Sequence, residues 1–265
     1  MVVWRSALIM AWRVSVSDRE SFFKITHAKT GISPSGPSPQ MEGVTHVFFD
    51  CDDCLYQNDW ATAKKITESI GKYTSQQLGI SQAKAYELYK DHGTCLKGLL
   101  AEGIIDEAGA EAFLHEVHLI SYDDIARDEA MRAAVEGVSA ARYQRWVFTA
   151  STVEHATRCL ERVGVADLFQ GVIDTRTCKL ETKHAAASFD AAMAAAGAAA
   201  AEPAACLLLD DSVKNIAAAK AHGWRTVLVG KKDRDTGNPI VCDAADVHVE
   251  SLHELREACP ELYAA

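Results

Sequence analysis

Residues 44–49 form a short apolar run that stops at Asp50, and two more carboxylates follow at once, Asp52 and Asp53. A run this short and mostly apolar suits a strand buried on both faces, with a polar group presented at its carboxyl end. Similar runs recur at 146–149, 171–174, 206–210, 226–229 and 246–249. Helical periods separate most of the later ones. Past Thr149, Ser151 and Glu154 read as a capping box, Val153, Ala156, Leu160 and Val163 share an apolar face, and Gly164 reads as a stop. Residues 183–196 and 212–222 are the next two predicted helices, the second opening on Ser212 as its N-cap. Strands alternating with helices predict an α/β fold with a doubly wound parallel sheet covered on both faces.

Residues 57–143 break this rhythm. They hold no convincing strand, but Ile66, Ile70 and Tyr73 share a helical face, Ser81 and Asp106 suit N-caps, and Phe113, Leu114 and Val117 mark another apolar stripe. An insert of this size after the first strand predicts a helical cap domain over the site. The chain then divides into an N-terminal extension (1–43), an α/β core (44–56 and 144–265) and the cap (57–143).

Residues 1–40 carry a net charge of +3, so the remainder of this −10 chain carries −13. The stretch opens apolar, interrupted by Arg5 and Arg13, and ends rich in Pro, Ser and Gly, which reads as an appendage with a linker. A cytoplasmic location is expected, or a mitochondrion or plastid if residues 1–40 act as a transit peptide; Met41 is an equally suitable start. No apolar run approaches the roughly 20 residues of a membrane span. The acidic balance opposes binding of a nucleic-acid polymer, whose footprint would be basic. It leaves room for a small phosphorylated metabolite, because one bound cation and one lysine reverse the sign locally. Eight cysteines at irregular spacing suit a reducing compartment. Cys51 and Cys54 form a C-x-x-C, but no second pair follows and carboxylates flank Cys51 on both sides, which disfavours a redox or zinc pair.

Ligands of a doubly wound sheet sit at the carboxyl ends of its strands. The polar residues just past the expected strands are Asp50, Asp52 and Asp53; Thr149 and Ser151; Lys179 and Lys183; and Asp210 and Asp211. Carboxylates gathered this closely repel one another unless a cation sits among them, and oxygen ligands with no histidine or thiol suit Mg²⁺. A lysine and a threonine supply a point charge and a donor for phosphate. If the chain turns directly after the first strand, Asp50 and Asp52 both face the rim. One can then attack phosphorus while the other protonates the leaving oxygen and later activates water.

These residues resemble the haloacid dehalogenase-like superfamily of phosphatases with a helical cap after the first strand, over residues 44 to about 235. The resemblance rests on Asp50-Cys51-Asp52-Asp53-Cys54-Leu55-Tyr56, on Thr149 ending a strand, on a lysine before a helix, and on Asp210-Asp211-Ser212 with Asn215 one turn on. It implies that Asp50 is the nucleophile and a Mg²⁺ ligand, and that Asp52 is the general acid/base with its carbonyl on the metal. It implies phosphate binding by Thr149 and Lys183, direct metal ligation by Asp211, and support from Asp210. The pattern Lys-x5-Phe-x3-Met, counted back from Phe189 and Met193, favours Lys183 over Lys179, although the usual Lys-Pro is here Lys183-His184. Leu55-Tyr56, Gly93, Gly98 and the 210–215 segment resemble the pyrimidine 5′-nucleotidase branch, which implies a nucleoside monophosphate substrate. Ala150 departs from that branch, where Asn usually follows the threonine.

Other readings are a phosphatase for a sugar phosphate or pyridoxal phosphate, a phospho-accepting signalling domain, and an inactive binding protein. A signalling domain has no use for Asp52 or the helical insert. Tyr56, Asn58, His92 and Lys97 are cap-side candidates for substrate contact. The ten histidines show no ligand spacing, and His115 with His118 reads as a solvated helix face.

Overall fold

The computed structural model describes residues 41–234 and 236–264, so the expected N-terminal targeting segment lies outside the described residues. Six parallel strands, β1 (His46–Phe49), β2 (Gln144–Phe148), β3 (Val172–Ile173), β4 (Cys206–Asp210), β5 (Arg225–Val229) and β6 (Val247–Val249), line up in the order β3-β2-β1-β4-β5-β6. This is the doubly wound sheet that the alternating pattern predicts. Among the described residues no helix is long and apolar enough to cross a membrane.

The period of two along each strand divides its side chains between two apolar layers. Val47, Phe49, Val147, Leu207, Leu209, Val227 and Val229 share one cluster with Met131 and Val135 of α5 (Glu129–Glu136) and with Ala156, Cys159 and Leu160 of α6 (Val153–Val163). Phe48, Phe148, Leu208 and Leu228 face the other way. They pack with Phe189 of α7 (Ala186–Ala195), Ile216 and Ala219 of α8 (Val213–Ala221), and Trp224. Unbroken apolar runs are therefore needed, because neither face of the sheet meets water.

The segment after β1 carries α1 (Ala61–Gln77), α2 (Gln82–His92), α3 (Cys95–Ala101) and α4 (Glu107–Val117). Ser81 and Asp106 cap α2 and α4 by accepting from the N–H groups of Lys84 and Gly109, as their sequence positions predict. Leu88, Leu99, Phe113, Leu114 and Val117 form a third apolar cluster joined by Ile70 and Tyr73. At Gly98 a Cβ would meet that of Leu88 at 2.7 Å, so glycine is what lets α2 and α3 approach. Residues 57–143 thus divide between two clusters, because α5 turns its apolar stripe to the sheet.

Two helix starts differ from the sequence reading. The N-cap of α6 is Thr152, whose hydroxyl accepts from the His155 N–H, in place of Ser151. Val153 is consequently solvent-facing, and the buried stripe is His155, Ala156, Cys159, Leu160 and Val163. Likewise α7 begins at Ala186, because residues 182–185 close a turn whose Thr182 carbonyl accepts from both the Ala185 N–H and the Ser188 hydroxyl.

Phe48 is fully buried, with its ring centroid 4.6 Å from Trp224 and 6.4 Å from Phe148. Truncation to alanine leaves a cavity that these rigid rings refill poorly. Phe48→Ala is expected to lower unfolding free energy by about 3–5 kcal/mol, read from the urea midpoint at unchanged m-value.

Candidate active site

The strand order reverses beside β1: the chain runs outward through β2 and β3, then returns to place β4 against the other edge of β1. That reversal opens a crevice at the carboxyl ends of β1 and β4. In register Phe49 lies opposite Leu209, so the next residues, Asp50 and Asp210, leave the sheet side by side. The Asp50 N–H still bonds to the Leu209 carbonyl at 2.8 Å, which holds the first carboxylate at the strand's last rung. The chain then turns: the Leu55 N–H bonds to the Cys51 carbonyl at 3.0 Å, and Asp53 takes a left-handed φ of 57°. The turn required to bring Asp50 and Asp52 onto one rim is therefore present.

Lys183 fills the gap between the two strands' carboxylates. Its Nζ is 2.6 Å from Asp50 Oδ1 and 2.6 Å from Asp210 Oδ2, and all three side chains are almost wholly buried. Lys179 is exposed one turn earlier, so it is Lys183 that reaches the site. The ammonium also lies 5.1 Å from the Phe148 ring centroid. Asp210 is further held by the Ser212 N–H at 2.8 Å and by Asn215 Nδ2 at 3.0 and 3.2 Å. Asp50, Asp210 and Asp211 bring one oxygen each within 4.8 Å of one another. Three clustered carboxylates with one lysine retain an excess of negative charge. An all-oxygen donor set of this kind fits a hard divalent cation.

Burial, with Asp210 and Asp52 nearby, pushes the Asp50 carboxyl up to about 7 against the opposing pull of Lys183. Burial, with Asp50, Asp210 and Asp53 nearby, pushes Asp211 well above the usual range. Asp52 behaves oppositely. Burial would raise it, but His155 and the Tyr56 hydroxyl outweigh that and bring it down to about 2. Its Oδ1 accepts from Tyr56 Oη at 2.5 Å and from His155 Nε2 at 2.7 Å. Asp53, also buried, is pushed up to about 7 by burial and by Asp52.

Thr149 follows β2 and is 2% exposed; its N–H bonds to the Ile173 carbonyl and its hydroxyl accepts from the Ser151 N–H. The cap closes over this rim. Lys97 pairs with Glu181, two residues before Lys183, and Arg176 bonds to Glu111 of α4 at 2.9 Å. Gly93 ends α2 at φ 86°, and a Cβ there would stand 2.7 Å from the His184 ring, so the α2–α3 corner rests directly on the lysine loop. Asn58 is occupied otherwise: it bonds to Thr62 and to the Ala61 N–H at the start of α1.

The family model of a haloacid dehalogenase-like hydrolase matches residues 44–223 of this chain, more than half its length. The chain belongs to the haloacid dehalogenase-like hydrolase family. A curated relative, Phosphate metabolism protein 8 of Saccharomyces cerevisiae, is 27% identical over 133 residues, 47% of this chain and 41% of that protein. The chain thus matches about two fifths of that relative's length. Among solved structures, a HAD phosphatase from Thermococcus onnurineus is 17% identical with TM-score 0.51, covering 81% of this chain and 97% of that one. A dehalogenase in an intermediate complex is 14% identical with TM-score 0.51, covering 84% and 99%. At these identities the two structures establish the shared fold, and it is the HAD fold.

Two site features of this HAD hydrolase escape the sequence reading. His155 bonds directly to Asp52, but it sits on an otherwise apolar helix stripe and has no motif to mark it. His118 is buried where a solvated face is expected: its Nδ1–H donates to the Leu114 carbonyl at 2.7 Å, and Nε2 faces Ser151 Oγ at 3.2 Å. Burial accordingly lowers its pKa. His115, by contrast, is exposed. All eight cysteines are free thiols, Cys51 and Cys54 included.

The raised carboxyls set a pH dependence. Asp50 holds in the folded state a proton that the unfolded chain releases near pH 4, so its contribution to stability falls as pH rises toward about 7, and the raised Asp211 acts in the same direction. A divalent cation bound by these carboxylates would replace those protons and relieve the repulsion. The rise in melting midpoint on adding Mg²⁺ to EDTA-treated protein is expected to be larger at about pH 7.5 than at about pH 5. An equal rise at both pH values would count against cation binding by these carboxylates.

Proposed function

We propose that this hydrolase is a Mg²⁺-dependent phosphomonoesterase that acts through an aspartyl-phosphate on Asp50. The observation that carries this reading is the convergence of Asp50, Lys183, Asp210 and Asp211 at the crevice between β1 and β4, with Asp52 turned onto the same rim. A dehalogenase, the activity named for another solved structure of this fold, needs neither a second aspartate at 52 nor a carboxylate cluster beside the nucleophile.

In the proposed reaction Asp52 first takes up a proton from solvent as substrate enters; Asp50 Oδ then attacks phosphorus, the bond to the leaving oxygen breaks, and Asp52 delivers that proton to it. Water then loses a proton to Asp52 and attacks the aspartyl-phosphate, releasing inorganic phosphate and restoring Asp50. Lys183 neutralises phosphate charge from one side, and Thr149 supplies a hydroxyl and the end of a strand. Asp50, Asp211 and Asp210, with the Asp52 carbonyl, would hold the Mg²⁺, which when bound neutralises charge on the transferring phosphoryl group.

For substrate, the reading is a small phosphorylated metabolite, first a nucleoside monophosphate, supported by the Leu55-Tyr56, Gly93, Gly98 and Asp210-Asp211-Ser212 pattern. A name in phosphate metabolism for the yeast relative supports phosphate chemistry more broadly. Ala150, which offers no polar contact beside Thr149, keeps a sugar phosphate or pyridoxal phosphate as the second reading.

Purified protein is expected to hydrolyse p-nitrophenyl phosphate with Mg²⁺ and to lose this in EDTA. Asp50→Asn is expected to lower turnover by about 1,000-fold or more in a protein that still melts cooperatively. Activity that survives either change sinks the mechanism. Thr149→Ala removes one phosphate contact, so the inhibition constant for inorganic phosphate should rise about 5- to 10-fold. A phosphate-release screen over nucleoside monophosphates, sugar phosphates and pyridoxal phosphate decides the class.

A further inference from the structure

We propose that His155 is the positioning residue for Asp52: it fixes which carboxylate oxygen of the acid/base group faces the substrate. The inference rests on the phosphomonoesterase reading above.

Asp52 Oδ1 takes two donors, Tyr56 Oη at 2.5 Å and His155 Nε2 at 2.7 Å, whereas no described group bonds to Oδ2. The side chain keeps 27% of its surface exposed, although its partner His155 has none. An ionised carboxylate only accepts, so Nε2 must carry the proton and His155 must donate. Two donors converging on one oxygen fix the carboxyl group in rotation about its axis. Oδ2 is then left to take up a proton from solvent, pass it to the leaving oxygen, and take the next one from the attacking water.

The histidine is itself held. It lies on the first turn of α6, its backbone N–H on the Thr152 cap, six residues past Thr149. Nδ1 is 3.0 Å from Tyr122 Oη, and that hydroxyl is 3.1 Å from the His118 carbonyl. The rings of His118 and Tyr122 lie 5.0 and 5.4 Å from the imidazole. With both nitrogens engaged and two rings packed against it, the imidazole cannot turn without breaking two hydrogen bonds. One connection, β2 to α6, thus delivers both the threonine at the phosphate end and the strut behind the acid/base aspartate.

A histidine that merely filled the core would affect folding and would slow every substrate equally. A positioning role predicts selectivity by leaving group. Proton delivery matters for an alkyl phosphate, whose alkoxide leaves poorly, and much less for p-nitrophenyl phosphate, whose phenolate leaves unaided. The measurement is kcat/KM, which reports the first phosphoryl transfer, for glycerol phosphate and p-nitrophenyl phosphate in wild type, His155→Met, His155→Gln, Asp52→Asn and the Asp52→Asn/His155→Met double variant. His155→Met fills the volume without a donor; His155→Gln places an amide N–H near Nε2.

His155→Met is expected to lose about 30- to 100-fold in kcat/KM on glycerol phosphate and only a few-fold on p-nitrophenyl phosphate. His155→Gln should keep the wild-type ratio between the two esters, and this comparison stands even if the methionine variant folds poorly. The double variant should be no slower than Asp52→Asn alone, since His155 acts through Asp52. Equal losses on both esters, a glutamine variant with an altered ratio, or additive losses in the double variant overturn the inference while the phosphatase chemistry stands. A wild type inactive on both esters, or an active Asp50→Asn, overturns the phosphatase reading and this inference together.

Discussion

Lys183 between Asp50 and Asp210 is the contact on which the site depends. Two carboxylates emerging from adjacent strands in a water-poor crevice repel each other, and burial raises the cost of ionising either. One ammonium at 2.6 Å from each lets the pair exist folded and charged. Removing it would leave uncompensated buried charge, a change worth about 3–5 kcal/mol in comparable settings. Lys183 thus stabilises the fold as well as the proposed phosphate position. Lys183 only partly offsets the repulsion on Asp211, whose carboxyl stays raised among Asp50, Asp210 and Asp53, and that repulsion is what a hard cation would answer.

The geometry upstream follows from the same demand. Asp50 and Asp210 meet because β4 returns to pair with β1, and the lysine arrives because the loop after β3 bends inward before α7 starts. Packing above the loop completes it. The cap's α2–α3 corner rests on His184 through Gly93, and Lys97 and Arg176 tie cap and core by ion pairs that are partly exposed. Exposed pairs of that kind contribute about 0–1 kcal/mol each, so the cap is seated more by shape than by charge.

Asp50 and Asp52 illustrate how two carboxyls two residues apart acquire opposite character. Asp50 is pushed up by burial among its own kind, while Asp52 is pulled down by a histidine and a tyrosine. Environment separates them where residue type cannot.

Much of the fold was legible in the chain. Runs such as 206–209 are apolar at every position because both faces of a parallel sheet are buried, and Asp50, Thr149 and Asp210 stand out because polarity begins where the strand ends. The choice of Lys183 over Lys179 was legible through its distance from Phe189 and Met193 in the pattern of the resembled branch. Less was legible in α6, where a one-residue shift of the cap moved Val153 to solvent and brought His155 inward. Sequence alone therefore determined the alternation of elements and the polar residues at the strand ends, since burial pattern and helix period are local properties. Only the tertiary structure decided that His155 stands behind Asp52 and that His118 is buried, because those contacts join residues 103 and 33 positions apart and leave no periodic mark on the chain.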